Sequence, residues 1–399
     1  MQFADRMSRL GTETAFDVLA VVNKLKAEGK DIISFAIGEP DFDTPAHIRQ
    51  AAKEALDDNQ THYNPSNGLP QFREAIAEDT QKMRPGFPCT PEEVVVTPGA
   101  KPIIFHGILS VVNSGTEVVY PNPGFPIYES MINFVGAKPV PCPLLESKAF
   151  SIDVDDLANR VNDNTSLIII NSPQNPTGGM LLPEDLEAIA ELAQKHDCWV
   201  MSDEVYNRMV WEGDFRSIAQ LPGMKERTII IDGCSKTYAM TGWRIGWGVV
   251  PDELATRISR LLTNSDSCTC TFNQVASTQA LRGPTDEVDK MVSEFRERRT
   301  IVVDGLNDIE GVSCVQPKGA FYVFPNVSEA CRKLDLPSSK ELADYLLHEA
   351  GVAVLGRTCF GARNEGENEE YVRLSYATAK DQIREGLSRM KKAIETPAK

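Results

Sequence analysis

Long apolar runs are missing from this 399-residue chain: none approaches the roughly 20 residues that a membrane-spanning helix needs. The start, Met1-Gln-Phe-Ala-Asp-Arg-Met7, also lacks the basic stretch followed by an apolar one that marks a signal peptide. Basic residues are in deficit, 41 Lys and Arg against 57 Asp and Glu, and the net charge of −16 repels phosphate backbones and anionic membranes alike. Histidines number only 5, none in an HExxH pattern, which argues against a metal hydrolase. The 9 cysteines, Cys89, Cys142, Cys198, Cys234, Cys268, Cys270, Cys314, Cys331 and Cys359, are odd in number and scattered, which points away from a disulfide scaffold. Cys268-Thr-Cys270 lacks CxxC spacing and a neighbouring histidine, so no metal site is expected. Low-complexity segments, charge blocks and internal repeats are missing as well. What remains, 42% hydrophobic and 25% charged, is ordinary globular material with length enough for two or three cores. It reads as soluble and cytoplasmic, with neither nucleic acid nor membrane as a partner.

Through the middle of the chain, short β-rich runs alternate with helical patterns, the signature of an α/β fold with a mostly parallel sheet and helices on both faces. Seven strands are expected: Val94–Thr97, Glu117–Tyr120, Lys138–Cys142, Leu167–Asn171, Cys198–Ser202, Thr228–Asp232 and Gly246–Val250. Glu184–His196 is an expected amphipathic helix, with Leu186, Ile189 and Leu192 at helical spacing. From about Thr285 the pattern changes: a charged helical stretch, Glu287–Leu306, leads to Phe321–Phe324 and Tyr371–Leu374, which read as strands of a smaller α+β domain. The first residues carry a helix over Phe16–Lys26 and an apolar strand, Ile32–Ile37, ending in Gly38-Glu-Pro-Asp-Phe-Asp-Thr-Pro45. The expected division is residues 1–45 packing with the small domain, 46–289 as the large domain and 290–399 as the small C-terminal domain.

In parallel sheets ligands gather at the carboxyl ends of strands, and four segments there share a chemical theme. They are Thr97-Pro-Gly-Ala-Lys101, Asn171-Ser-Pro-Gln-Asn-Pro-Thr-Gly178, Ser202-Asp-Glu-Val-Tyr206 and Ser235-Lys-Thr-Tyr-Ala-Met-Thr-Gly-Trp-Arg244. The last sets a lysine after a buried strand, with a hydroxyl before it and an arginine eight positions on. A lysine in a partly desolvated cleft near other cations can lose its proton and attack a carbonyl, forming a Schiff base, while arginine and serine hold a phosphate.

With these landmarks, NPTG, DExY and SKxxxxxGxR, in order from roughly Ile33 to Arg373, the chain closely resembles the class I and II aminotransferases, pyridoxal 5'-phosphate enzymes of fold type I. The resemblance implies that Lys236 bonds the cofactor and moves the proton at Cα, and that Asp203 pairs with the pyridine nitrogen so that the ring accepts electrons. It implies that Tyr206 and Asn175 hydrogen-bond the ring oxygen, and that Gly99 and Ala100 amides, Ser235 and Arg244 hold the phosphate. Phe125 falls where the family stacks an aromatic ring on the cofactor. Tyr63, in His62-Tyr-Asn-Pro, resembles a tyrosine that reaches the phosphate from the neighbouring subunit, implying a homodimer with shared sites. Arg373 resembles the arginine that grips the α-carboxylate with two prongs, with the Gly38 backbone near the same group.

The substrate side chain is less determined. In the aspartate and prephenate branch a lysine at the place of Lys101 reaches a distal carboxylate, which favours aspartate or glutamate with 2-oxoglutarate. Lys101 could also face solvent or strengthen the phosphate site. Two departures weigh against a dicarboxylate: Phe125 stands where aspartate-preferring members mostly carry Trp, and Ser265–Thr271 offers no arginine. The expected activity is therefore amino transfer between an L-amino acid and a 2-oxo acid. Alanine or aromatic amino acids as donors, or β-elimination at a C–S bond, remain alternatives, and a cofactor-sensing regulatory domain is the reading from another class.

Overall fold

The computed structural model describes residues 1–11 and 13–397. Thirteen strands form three sheets, beginning with β1 (Ile33–Ser34), β2 (Val94–Thr97), β3 (Glu117–Asn122), β4 (Lys138–Leu145), β5 (Ser151–Ile152), β6 (Thr165–Asn171) and β7 (Trp199–Asp203). They continue with β8 (Thr228–Gly233), β9 (Gly246–Val249), β10 (Tyr322–Val323), β11 (Val352–Ala353), β12 (Leu355–Gly356) and β13 (Val372–Ser375). The large sheet has 8 strands in the order β2-β9-β8-β7-β6-β3-β4-β5. Pairings from β8 through β7, β6 and β3 to β4 are parallel, and only β9 and β5 run against the rest. The sequence pattern gives seven strands; the eighth, β5, is two residues of hairpin edge, too short to leave a periodic signal.

Helices cover both faces because the central strands are apolar on both. In β6, Ile168 and Ile170 point into a core shared with Leu186, Ile189 and Ala193 of the helix Pro183–Lys195. Leu167 and Ile169 point the other way, against Ile103, Ile104 and Ile108. Those three residues belong to the fourth of the first four helices, α1 (Thr14–Ala27), α2 (Ala46–Asp57), α3 (Pro70–Met83) and α4 (Lys101–Val111). Period-two alternation with apolar residues at every position is what a sheet buried on both sides requires.

The C-terminal region carries the antiparallel sheet β10-β13-β12, and the N-terminal segment joins it through β1, which pairs in parallel with β11 (Ile33 with Val352, Ser34 with Ala353). Only Ile33 and Ser34 of the expected strand Ile32–Ile37 pair as a ladder; Ala36 to Gly38 instead turn their backbone toward the cleft described below. Ile33 and Phe35 share a core with Val372, Leu374 and Met390.

Beneath the strand ends lies a buried ionic knot. Arg84, 1% exposed, closes the C-terminus of α3 and donates from Nε (2.8 Å) and a terminal nitrogen (2.5 Å) to Glu204 Oε2. Glu204 Oε1 accepts from Ser202 (2.8 Å) and Ser217 (2.6 Å). The same guanidinium is 3.7 Å from Asp232, whose carboxylate also accepts from the Gly233 amide (2.7 Å) and Asn207 (2.5 Å). One cation thus ties the end of β7 to the end of β8. Removing it strands two buried carboxylates, so Arg84→Ala should lower the free energy of unfolding by about 3–5 kcal/mol. Urea denaturation measures this, and a loss under about 1 kcal/mol would show the knot to be structurally idle.

Candidate active site

The sheet order reverses between β3 and β6, and in an open α/β sheet a crevice forms outside the carboxyl ends of strands at such a point. A cavity of about 560 Å³ opens there. It gathers Gly38, Ala100, Lys101, Phe125, Asn175, Asp203, Tyr206, Ser235, Lys236, Arg244 and Arg373, residues spread from one end of the sequence to the other. Gly99 lies directly behind Ala100, under the Arg244 guanidinium. Tyr63 is set apart: it is 90% exposed and does not line the cavity within this chain.

Lys236 sits in the short helix Cys234–Thr237 that follows β8. Its ammonium donates to the Gly38 carbonyl at 2.6 Å and lies 5.9 Å from the centre of the Phe321 ring. Burial lowers its pKa to about 8; Glu39 opposes that, while the Arg373 and Arg244 cations reinforce it. A nucleophilic amine is therefore available near neutrality. A side chain at Gly38 would overlap the Tyr322 hydroxyl, so glycine is what lets this backbone approach.

Asp203 ends β7. Burial raises its pKa to about 6, and the hydrogen bond from the Tyr128 hydroxyl at 2.6 Å works in the opposite direction. A fixed carboxylate in a dry site is suited to hold a ring N–H⁺, whose charge would favour the ionised form further. The Tyr206 and Tyr322 hydroxyls are hydrogen-bonded to each other at 2.8 Å, and burial holds both phenols above their usual pKa, so they remain protonated donors.

Arg373, on β13, is buried between the rings of Tyr322 (4.7 Å) and Phe360 (4.9 Å). It donates to Asn175 Oδ1 at 3.1 Å and to the Ala36 carbonyl, while its Nε has no partner. Among the described residues no carboxylate pairs with it, nor with Arg244, whose partners are the carbonyls of Thr241 (2.8 Å) and Pro98 (3.3 Å). Arg244 faces the turn after β2, where Gly99 has φ +88° and where any side chain would run into the guanidinium. The turn leads into the N-terminus of α4, where Pro102 has no N–H and Ile103 donates to the Ala100 carbonyl (3.0 Å), leaving the Ala100 and Lys101 amides without an acceptor among the described residues. Uncompensated cations, free helix amides and a glycine that leaves room form a cradle for a phosphate. Together with the Lys236 amine and the Asp203 carboxylate, these residues fit pyridoxal phosphate.

Lys101, open between three roles on sequence grounds, makes an ion pair of 2.6 Å with Glu13. Sequence reasoning did not single out Glu13, Arg84, Tyr128 or Tyr322. In the sequence Tyr128 is only a residue shortly after Phe125, and Tyr322 only one residue of a strand pattern, so neither carries a sign of its partner.

The aminotransferase class I and II family model matches residues 30–390. An aspartate aminotransferase of Pyrococcus abyssi is 42% identical over 368 residues, 92% of each chain. An aromatic-amino-acid aminotransferase of Thermococcus litoralis is 41% identical over 91% of this chain and 92% of its own. The solved structure of Thermus thermophilus aspartate aminotransferase with maleate superposes with a TM-score of 0.92 at 34% identity, covering 98% of this chain and 99% of its own.

The lowered pKa of Lys236 predicts how the apoprotein captures added pyridoxal phosphate. Only the neutral amine attacks, so the rate should climb about tenfold per pH unit and level off above pH of about 8. Stopped-flow absorbance reads the profile; an ordinary lysine would instead go on rising toward about pH 10.4.

Proposed function

Since the chain belongs to the class I and II aminotransferases, enzymes that use pyridoxal phosphate, we propose that it moves the amino group between aspartate or glutamate and a 2-oxo acid such as 2-oxoglutarate. The observation that supports this reading is that one cavity holds the Lys236 amine, the Asp203 carboxylate and two cations, Arg373 and Lys101, for the two carboxylates of such a substrate.

Arg373 and Asn175 take the α-carboxylate. Because the guanidinium is buried and already oriented by Asn175 and Ala36, a two-pronged bond there costs little ordering and sets the amino acid's direction. When bound, the cofactor supplies an electrophilic carbon for the amine and a ring that drains the electrons released at Cα. Asp203 holds the proton on the ring nitrogen, and Tyr128 keeps that carboxylate aimed. Tyr206 and Asn175 would provide hydrogen bonds at the ring oxygen, Phe125 would pack against the ring, and Ser235, Arg244 and the Ala100 amide would hold the phosphate; Gly99 leaves room for it, its own amide being bonded to the Thr97 carbonyl at 2.7 Å. Lys236 would be the base that takes the Cα proton; its low pKa makes it neutral enough to accept one at working pH.

The reading extends to the assembly. Tyr63 stands exposed and away from its own chain's cavity, which suits a tyrosine donated to the phosphate of a second copy. The fold divides, on this reading, into residues 46–289 carrying the cofactor and residues 290–399 packed with 1–45, consistent with the pairing of β1 and β11. A cytoplasmic setting accords with nine free cysteines, most of them buried. No described helix is long and apolar enough to cross a membrane.

Two measurements test the proposal. Mixing the holoenzyme with aspartate should discharge its visible absorbance, and Lys236→Ala should abolish that conversion; amino transfer by the variant would refute the role of Lys236. Sedimentation velocity should show two chains per particle, and a monomer with full activity would remove Tyr63 from the site.

A further inference from the structure

The side-chain end of the cavity has a feature that the activity does not require. Lys101, the first residue of α4, pairs at 2.6 Å with Glu13, the residue immediately before α1. Its side chain is 41% exposed and that of Glu13 15%, and the ammonium lies 5.1 Å from the centre of the Phe125 ring. Both members of the pair line the main cavity, and both also line a second cavity of about 260 Å³ walled by Leu10, Phe16, Phe105, Ile127 and Met131. The ion pair therefore stands where a polar cleft meets an apolar annex.

From this geometry we infer that Glu13 is a specificity-determining residue: an internal carboxylate that competes with the distal carboxylate of the substrate for Lys101 and keeps the cavity open to apolar and aromatic side chains. The inference rests on the aminotransferase reading above and concerns only which side chains the site takes.

The electrostatics are direct. With Glu13 in contact, the Lys101 charge is compensated, and the distal part of the cavity presents an ion pair rather than a free cation. An aspartate or glutamate side chain must displace Glu13, or share the ammonium and sit beside a like charge, which costs binding free energy. An aromatic side chain meets no such competitor, and the annex next to the pair is lined by apolar surface that it can cover. The pair is partly exposed, so its strength is modest and a substrate can open it. A buried pair would lock Lys101 away altogether. The two classes of amino acid would then be admitted through one residue, with Arg373 common to both.

The test uses holoenzyme in four forms: wild type, Glu13→Gln, Lys101→Met and the double variant. Two readouts are taken, the dissociation constant of maleate by calorimetry and the half-reaction rates with aspartate and with phenylalanine. Glu13→Gln should tighten maleate about fivefold and raise the aspartate-to-phenylalanine ratio of kcat/KM by a similar factor, the upper end of what a partly exposed ion pair contributes. In the Lys101→Met background the same change should move neither quantity more than about twofold. Unchanged maleate affinity in Glu13→Gln would overturn the inference. An equal gain without Lys101 would overturn it too, by showing a general charge effect. Aspartate conversion by the wild type with no response to Glu13→Gln removes Glu13 while leaving the aminotransferase reading intact. A wild type that converts neither aspartate nor phenylalanine takes both down.

Discussion

Charge held by neutral partners is the constraint on which this molecule turns. An amine, a carboxylate and two guanidinium groups are drawn to one cavity without compensating one another: Lys236 leans on a carbonyl, Asp203 on a phenol, Arg373 on an amide and a carbonyl, Arg244 on carbonyls alone. Neutral partners orient a charge but leave its field largely unspent. Burial then works on the amine and the carboxylate according to sign, lowering Lys236 to about 8 and raising Asp203 to about 6. A phosphate, a ring N–H⁺ and a substrate carboxylate are charges that would answer this arrangement, each meeting a group held in place beforehand. Such preorganisation removes the cost of reorienting dipoles during the reaction.

Holding uncompensated charge at the ends of strands requires rigid support below. The parallel strands deliver Asp203 and Lys236 at the tips of neighbouring β7 and β8, whose register is fixed by backbone pairing of Asp203 with Ile231. Behind them, Arg84 joins Glu204 to Asp232, the positions next to Asp203 and four before Lys236. Burial raises Asp232 to about 7, with the Arg84 cation opposing that shift, so the guanidinium is what keeps this carboxylate tolerable in the core. A second pair, Arg208 with Asp79 at 2.5 Å, flanks the knot from α3. Two layers of charge are stacked here: a satisfied one that stabilises strand ends, and an unsatisfied one that faces ligands.

How much of this was legible in the sequence follows from the range of each interaction. The parallel sheet could be read because Ile168-Ile-Ile170 and its counterparts write their burial into consecutive residues. The short motifs around Lys236, Asp203 and Asn175 could be read because each packs its chemistry into a few positions after a strand. Arg84 could not: its partner Glu204 lies 120 residues away, and a lone arginine at a helix end carries no sign of burial. Tyr128 and Tyr322 are similar, since their roles depend on hydroxyls meeting Asp203 and Tyr206 across the fold. Ile32–Ile37 has the pattern of a full strand because an apolar run looks the same whether it pairs as a ladder or lends its carbonyls to a cleft.

Burial also separates the two ends of the cavity in what they can discriminate. Arg373 is nearly inaccessible, flanked by two rings and fixed by two acceptors, so on the proposed reading an amine without a carboxylate would leave a desolvated cation unanswered. That is a large penalty, and it would make recognition of the common part of all amino acids strict. Lys101 and Glu13 keep contact with water and already answer each other, so the penalty for a substrate that ignores them is small. A site built this way demands the shared functional group and negotiates the variable one. The strictness comes from the depth of the C-terminal sheet, the tolerance from an ion pair between α4 and the segment before α1, two elements that meet only at the edge of the cleft.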